Sequence, residues 1–199
     1  MRELLVVRHG ESEDNAGGIV SGRGPCRLTE KGRDEAAAVA ALMKALGWKP
    51  DRVVTSPLPR CVETAEHIGA GIPIPNEAFT EIDCGHATGR RFSELEEEHP
   101  EFFLRPASEW RGFAEFSGES DDALIERVGA GLDALPGDEA ILLVTHGAVF
   151  KGVLAHLLGL RTPYFLDLRN GTCMRLERRH VGTTDVMALT HFLHATEHR

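Results

Sequence analysis

The chain has 199 residues, of which 42% are hydrophobic and 27% charged, and it carries a formal net charge of −9. This length suits one domain with a sizeable core. The acidic balance argues against a nucleic-acid surface, which shows a basic patch or stripe, and no apolar run approaches the length of a membrane span.

In chain order, the apolar run Leu4 to Val7 breaks into Arg8, His9, Gly10 and Glu11, which predicts a short buried strand with polar groups at its end. Glu11 to Arg27 is rich in glycine, serine and charge and reads as a loop. Thr29 is a candidate N-cap for a helix whose apolar residues run from Ala36 to Leu46 and stop at Gly47. Arg52 to Thr55 predicts a strand ending at Ser56 and Pro57. A helix from Leu58 to Ile68 follows, ended by Gly69 and Gly71, and then a short strand near Ile72 to Ile74. The segment from Thr80 to Ser120 breaks the alternation with glycines, charges and clustered aromatics. One acidic helical piece is expected there, near Phe92 to His99, and the segment reads as an excursion that could cover a site.

Ser120 with Asp121 and Asp122 looks like a helix start, because acids in the first turn suit the helix dipole; that helix would run to about Leu135. Ala140 to Val144 is an unbroken apolar run of the kind that a parallel sheet buries on both faces, and it ends in Thr145, His146 and Gly147. A helix from Ala148 to Leu158 is expected next. Strands are expected at Tyr164 to Leu168, Thr172 to Leu176 and Val186 to Leu193, with a turn at Asn170-Gly171. Together these elements predict an α/β fold: a three-layer α/β/α sandwich around a mostly parallel central sheet with antiparallel edge strands. It would form one domain over residues 1–199, with 82–118 as a covering insertion.

The N-terminus has no signal-peptide pattern, and a cytoplasmic location is expected. Cys26, Cys61, Cys84 and Cys173 include no CxxC pair, so neither a zinc site nor a disulfide framework is suggested. His191, His194 and His198 have a spacing that could hold a metal on a helix. A strand, which the sequence favours there, would put His191 and His194 on opposite faces. No metal site is therefore expected.

In open α/β sheets the ligand crevice lies outside the carboxyl ends of the strands. Three strands here end in Arg8 and His9, in Ser56 with Arg60 one turn into the next helix, and in His146. Singly, each has an ordinary explanation, such as a solvated turn histidine or an arginine snorkelling from its helix. Jointly, two arginines and two histidines at one edge of an acidic protein point to a phosphate pocket.

Four ordered stretches carry a resemblance: RHGESEDN from Arg8 to Asn15, SGRGPCRLTEKG from Ser21 to Gly32, SPLPRCVETA from Ser56 to Ala65, and VTHGAV from Val144 to Val149. Over nearly its whole length the chain resembles the histidine phosphatase superfamily, the phosphoglycerate mutase-like proteins. The resemblance implies that His9 is a nucleophile that becomes phosphorylated. It implies that Arg8, Arg60 and His146 bind the phosphoryl oxygens, that Asn15 is a further donor, and that Glu81 is the general acid. It also implies that Ser21 and Gly22 lie against the substrate. No cofactor is implied.

The chain departs from the family pattern where His86, Ala87, Thr88 and Gly89 replace a common Trp-Glu-Gly segment, and where Pro25 replaces an acidic residue. The expected function is metal-independent hydrolysis of a small phosphorylated metabolite through a phosphohistidine. One alternative is a phosphoglycerate mutase. Against it, the span from Glu81 to His146 is short, and Arg90, Arg91, Arg105 and Arg111 do not match the mutase pattern. A further alternative is a non-catalytic module that binds a phosphate ligand. An exposed edge strand or aromatic surface could support a homodimer.

Overall fold

The computed structural model describes residues 1–106, 109–161, 166 and 168–194. Six strands form one sheet: β1 (Glu3–Arg8), β2 (Arg52–Thr55), β3 (Pro73–Pro75), β4 (Ala140–Thr145), β5 (Thr172–Val181) and β6 (Thr184–His194), in the spatial order β3-β2-β4-β1-β5-β6. The β1–β4, β2–β4 and β2–β3 pairs are parallel. β5 runs antiparallel to β1, and β6 antiparallel to β5. The sheet is thus mainly parallel with an antiparallel edge, as expected.

Strand period two divides the core. Leu4, Val6, Val54, Ile141 and Leu143 point to one face, where they pack with α6 (Asp121–Asp133) and α7 (Gly147–Leu158). Leu5, Val7, Val53, Leu142 and Val144 point to the other, against α2 (Glu30–Ala45) and α3 (Pro59–Ile68). Each fully buried aliphatic side chain contributes roughly 1.5–3 kcal/mol. β4 is buried at every residue, which explains why its sequence is an uninterrupted apolar run.

Local signals set the helix ends. The Thr29 hydroxyl accepts from the Gly32 N–H and starts α2, and the Ser120 hydroxyl accepts from the Ala123 N–H and starts α6. Gly69, at φ 67°, ends α3 in the left-handed conformation that glycine adopts at low cost.

Several boundaries differ from the sequence reading. The loop after β1 contains a short helix, α1 (Glu13–Gly17), capped by Ser12; it buries no residue and so carries no apolar periodicity. β3 lies one residue later than expected. β5 and β6 continue past the apolar runs as an exposed hairpin, a polar extension with no hydrophobic pattern to announce it. The strand expected at Tyr164 to Leu168 falls largely outside the described residues, as does His198; Leu166 and Leu168 pack against the core. Between β3 and α6 the chain makes two short helices, α4 (Phe92–Glu98) and α5 (Pro100–Phe103), and a cluster of Phe102, Phe113, Phe116 and Trp110.

Candidate active site

The carboxyl ends of β1, β4 and β2 lie flush. The His9 N–H donates to the Thr145 carbonyl at 2.9 Å, and the Ser56 N–H to the Val144 carbonyl at 3.0 Å. Parallel pairing therefore brings Arg8, His9, Ser56 and His146 to one edge. The turn after β1 presses against the start of α2, and a Cβ on Gly10 would overlap the Gly32 carbonyl oxygen. Only glycine permits this approach.

His9 is buried, and its Nδ1 lies 2.8 Å from the Gly10 carbonyl oxygen. A carbonyl only accepts, so Nδ1 carries the proton and Nε2 keeps its lone pair. Burial, then the charges of Arg60 and Arg8, hold the imidazole well below its ordinary pKa. His9 is therefore neutral, with its unprotonated nitrogen toward the arginines.

Arg60 stands in the first turn of α3, after Pro59, whose missing N–H costs nothing at that position. Its guanidinium is fully sequestered, at 1% exposure. Nε donates to His9 Nε2 at 3.2 Å, while Nη1 and Nη2 donate to the carbonyls of Gly24 and Gly22 at 2.9 and 2.8 Å. The loop carrying Ser21 and Gly22 is thus tied to the same cation that faces His9. Arg8 donates through Nη1 to the Leu168 carbonyl.

His146 immediately precedes α7 without a side-chain capping bond, and its ring meets that of His9 edge-on at a centroid distance of 5.1 Å. Its Nε2 lies 2.7 Å from Ser56 Oγ, and the Cys61 thiol lies 3.3 Å from the same nitrogen. Burial, then Arg60, His9 and Arg8, pull its pKa well below the ordinary value.

Glu81 lies beyond β3, where Phe79 is fully buried. Its Oε1 accepts from its neighbour's N–H, that of Ile82, at 2.9 Å, and the carboxylate also accepts from the Ala148 N–H in the first turn of α7. Burial raises its pKa, outweighing these hydrogen bonds and the charges of Arg60 and Arg8.

Arg8, His9, Asn15, Ser21, Gly22, Arg60 and Glu81 all line one cavity of about 230 Å³. His146 is not among the residues that line it; its ring, at 0% exposure, packs edge-on against that of His9. Ile82, Cys84, Phe92, Trp110 and Phe113, all from the segment 82–118, form much of the remaining wall. Burial pushes the Cys84 thiol up to about 12, so it is protonated and a poor nucleophile.

Two residues that sequence reasoning missed shape the site. Lys151, on α7, lines the cavity with its Nζ 3.9 Å from the centre of the Trp110 ring. Its signal was a lone cation inside an otherwise apolar helix. Asn170 donates from Nδ2 to the His9 carbonyl and to Asn15 Oδ1, both at 3.0 Å, and the Ser12 N–H also donates to Asn15 Oδ1 at 3.2 Å. Those contacts occupy the Asn15 oxygen, so the group that Asn15 has to offer a ligand is its amide NH2. No spacing rule could pair Asn170 with Asn15, because only the fold brings them together.

Such a pocket can accept a phosphoryl group between cations, attack it with a neutral imidazole and protonate what leaves. A family model described as "Histidine phosphatase superfamily (branch 1)" matches residues 4–188. An adenosylcobalamin/alpha-ribazole phosphatase of Salmonella typhimurium is 32% identical over 161 residues, covering 78% of this chain and 79% of that protein. A 6-phosphofructo-2-kinase/fructose-2,6-bisphosphatase of Gallus gallus is 33% identical over 161 residues, covering 79% of this chain. The chain spans 33% of the length of that relative. Among solved structures, a mycobacterial glucosyl-3-phosphoglycerate phosphatase complexed with VO3 superposes with a TM-score of 0.82 at 22% identity, covering 96% of this chain and 98% of that one. A phosphoserine phosphatase mutant from Entamoeba histolytica in complex with phosphoserine superposes with a TM-score of 0.80 at 26% identity, covering 98% of both chains.

Proposed function

Because this chain belongs to branch 1 of the histidine phosphatase superfamily, we propose that it is a metal-independent phosphomonoesterase that acts on a small phosphorylated metabolite through a phosphohistidine. The observation that carries this reading is the pairing, across one cavity, of a neutral His9 with its Nδ1 tied to Gly10 and a half-buried Glu81 whose pKa is raised.

In this reading His9 Nε2 attacks phosphorus and the ester P–O bond breaks. Arg8 and Arg60, with the Asn15 amide, neutralise charge on the phosphoryl oxygens. His146 supports His9 and Ser56. Its buried, neutral ring fixes the orientation of the His9 imidazole and of the Ser56 hydroxyl. Glu81 gives its proton to the departing alkoxide. It then takes one from water as the water attacks the phosphohistidine, which releases phosphate and restores His9.

The cavity volume lies below the roughly 300–1,000 Å³ of sites for drug-sized ligands, which favours a compact ester. Its aromatic far wall and Lys151 suit a leaving group with both apolar and anionic character. Hydrolysis is favoured over a mutase reaction because no cation of the covering segment lines the cavity among the described residues. Arg90 pairs with Glu98, Arg91 donates to the Gly17 carbonyl, and Arg105 pairs with Glu115.

The test is hydrolysis of an aryl phosphate in excess chelator. Wild type should turn over and, when quenched with labelled substrate, yield an acid-labile phosphoprotein; His9→Ala should lose activity by at least about 10³-fold and lose the label. Full activity in His9→Ala would overturn the mechanism, and conversion of 3-phosphoglycerate to its 2-isomer without phosphate release would favour the mutase.

A further inference from the structure

Thr80 to Cys84 form neither helix nor strand, so the peptide groups around Glu81 need partners from elsewhere. They are met by side chains in an unbroken series. The Ala78 and Thr80 carbonyls accept from Arg127 Nη1 at 2.9 and 3.0 Å, the Phe79 carbonyl accepts from the Thr145 hydroxyl at 2.8 Å, and the Glu81 carbonyl accepts from Arg23 Nε at 3.1 Å. One carboxylate joins the two arginines. Glu119 accepts from Arg127 Nε and Nη2 at 2.9 and 2.8 Å, and from Arg23 Nη2 and the Asp83 N–H at 3.3 Å each. The Glu119 N–H in turn donates to the Asp83 carbonyl at 2.8 Å.

Glu119 thus grips the segment on both sides of Glu81, through Arg127 before it and through Arg23 and Asp83 after it. The fork of Arg127 fixes orientation as well as distance, because both partners of the bidentate pair are planar. Glu119 and Arg127 are both mostly withdrawn from solvent, with side chains 11% and 22% exposed. Neither lines the cavity.

We propose that Glu119 and Arg127 are positioning residues for Glu81: their ion pair, extended by Arg23, fixes the peptide segment that aims the Glu81 carboxyl at the leaving-group oxygen. The assignment rests on the reading of Glu81 as the general acid. A general acid must lie within hydrogen-bond reach of the atom that it protonates, and a displacement of about 1 Å is enough to cost 10²-fold in rate. Loosening the clamp therefore weakens proton delivery while leaving His9, Arg8 and Arg60 in place.

The leaving group separates this role from a merely structural one. An alkyl phosphate such as glycerol phosphate needs a proton as it departs; p-nitrophenyl phosphate releases a stable anion and does not. Glu119→Gln and Arg127→Lys should lower kcat/KM on the alkyl ester by roughly 10- to 100-fold, part of the about 10²–10⁴ that general acid catalysis supplies; this constant stops at departure of the alcohol and so excludes the later step in which Glu81 takes a proton from water. On the aryl ester kcat/KM should change little. The retained aryl activity also reports that the variant is folded.

Arg23→Met removes the more exposed arm of the clamp, 43% exposed, and should produce a smaller split in the same direction; it carries the test if either other variant fails to fold. Equal losses on both esters in folded variants, or no loss on either, would overturn the clamp. Glu81→Gln is the reference. If it shows no alkyl-to-aryl split, the reading of Glu81 fails; if it shows one and the clamp variants do not, the clamp alone fails.

Discussion

In the proposed mechanism, proton positions at two side chains decide what the site can do. His9 reacts only while Nε2 is unprotonated, and burial beside two arginines keeps it so down to well below its ordinary value of 6.5. Glu81 must carry a proton to assist the leaving group, and burial raises its pKa above the ordinary 4.5. On that mechanism the first group is expected to set the acidic limb of the rate profile and the second the basic limb, because rate would fall as pH rises and Glu81 ionises. For an alkyl phosphate, Glu81→Gln is expected to remove the basic limb of kcat/KM and lower the plateau by about 10²- to 10⁴-fold. A pH profile of wild type and variant checks this, and persistence of the limb in the variant would assign it to another group.

Packing between elements holds His9 in place. β1 ends against the N-terminus of α2, and the contact closes through Gly10 and Gly32, while the Gly10 N–H donates to Thr64 Oγ1 on α3 at 3.1 Å. Gly10→Ala is expected to destabilise the protein by about 3 kcal/mol, the upper end of the usual cost of overpacking, because the obstacle is backbone that cannot swing aside. Urea unfolding measures this. Hydrolysis should fall as well, since the same shift moves His9 away from Arg60. A variant of unchanged stability would show that the two elements can separate without cost.

The molecule as a whole responds to pH through buried histidines. His9 and His146 both have native pKa values well below 6.5. Between those lowered values and 6.5 the unfolded chain binds more protons, so stability is lost as pH falls through that window, with a slope approaching about 1.4 kcal/mol per pH unit for each histidine. Glu81 acts with the opposite sign: its raised value means that the native state binds the extra proton, and its contribution is lost as pH rises through that value. His146→Gln should reduce the loss of stability between neutral pH and pH of about 5.5 by up to one proton's worth of slope. Urea midpoints across that range test it, and an unchanged slope would mean that His146 already charges in the native state.

By itself the sequence determined the alternation of strands and helices, the sheet's mainly parallel character and the gathering of Arg8, His9, Ser56, Arg60 and His146 at one edge of the sheet. These follow from local physics: apolar runs of strand length, caps at Thr29 and Ser120, and polar groups immediately after strand ends, which a parallel sheet places on one edge. The ordered motifs added the family. Tertiary structure alone decided that the His146 ring packs on His9 and meets the Ser56 hydroxyl, that Lys151 and Trp110 form the far wall, and that Asn170 orients Asn15. It alone joined Glu119 and Arg127 to the segment of Glu81. Those relations link residues far apart in the chain through side-chain hydrogen bonds and packing, and such contacts leave no period, cap or spacing in the sequence from which they could be read.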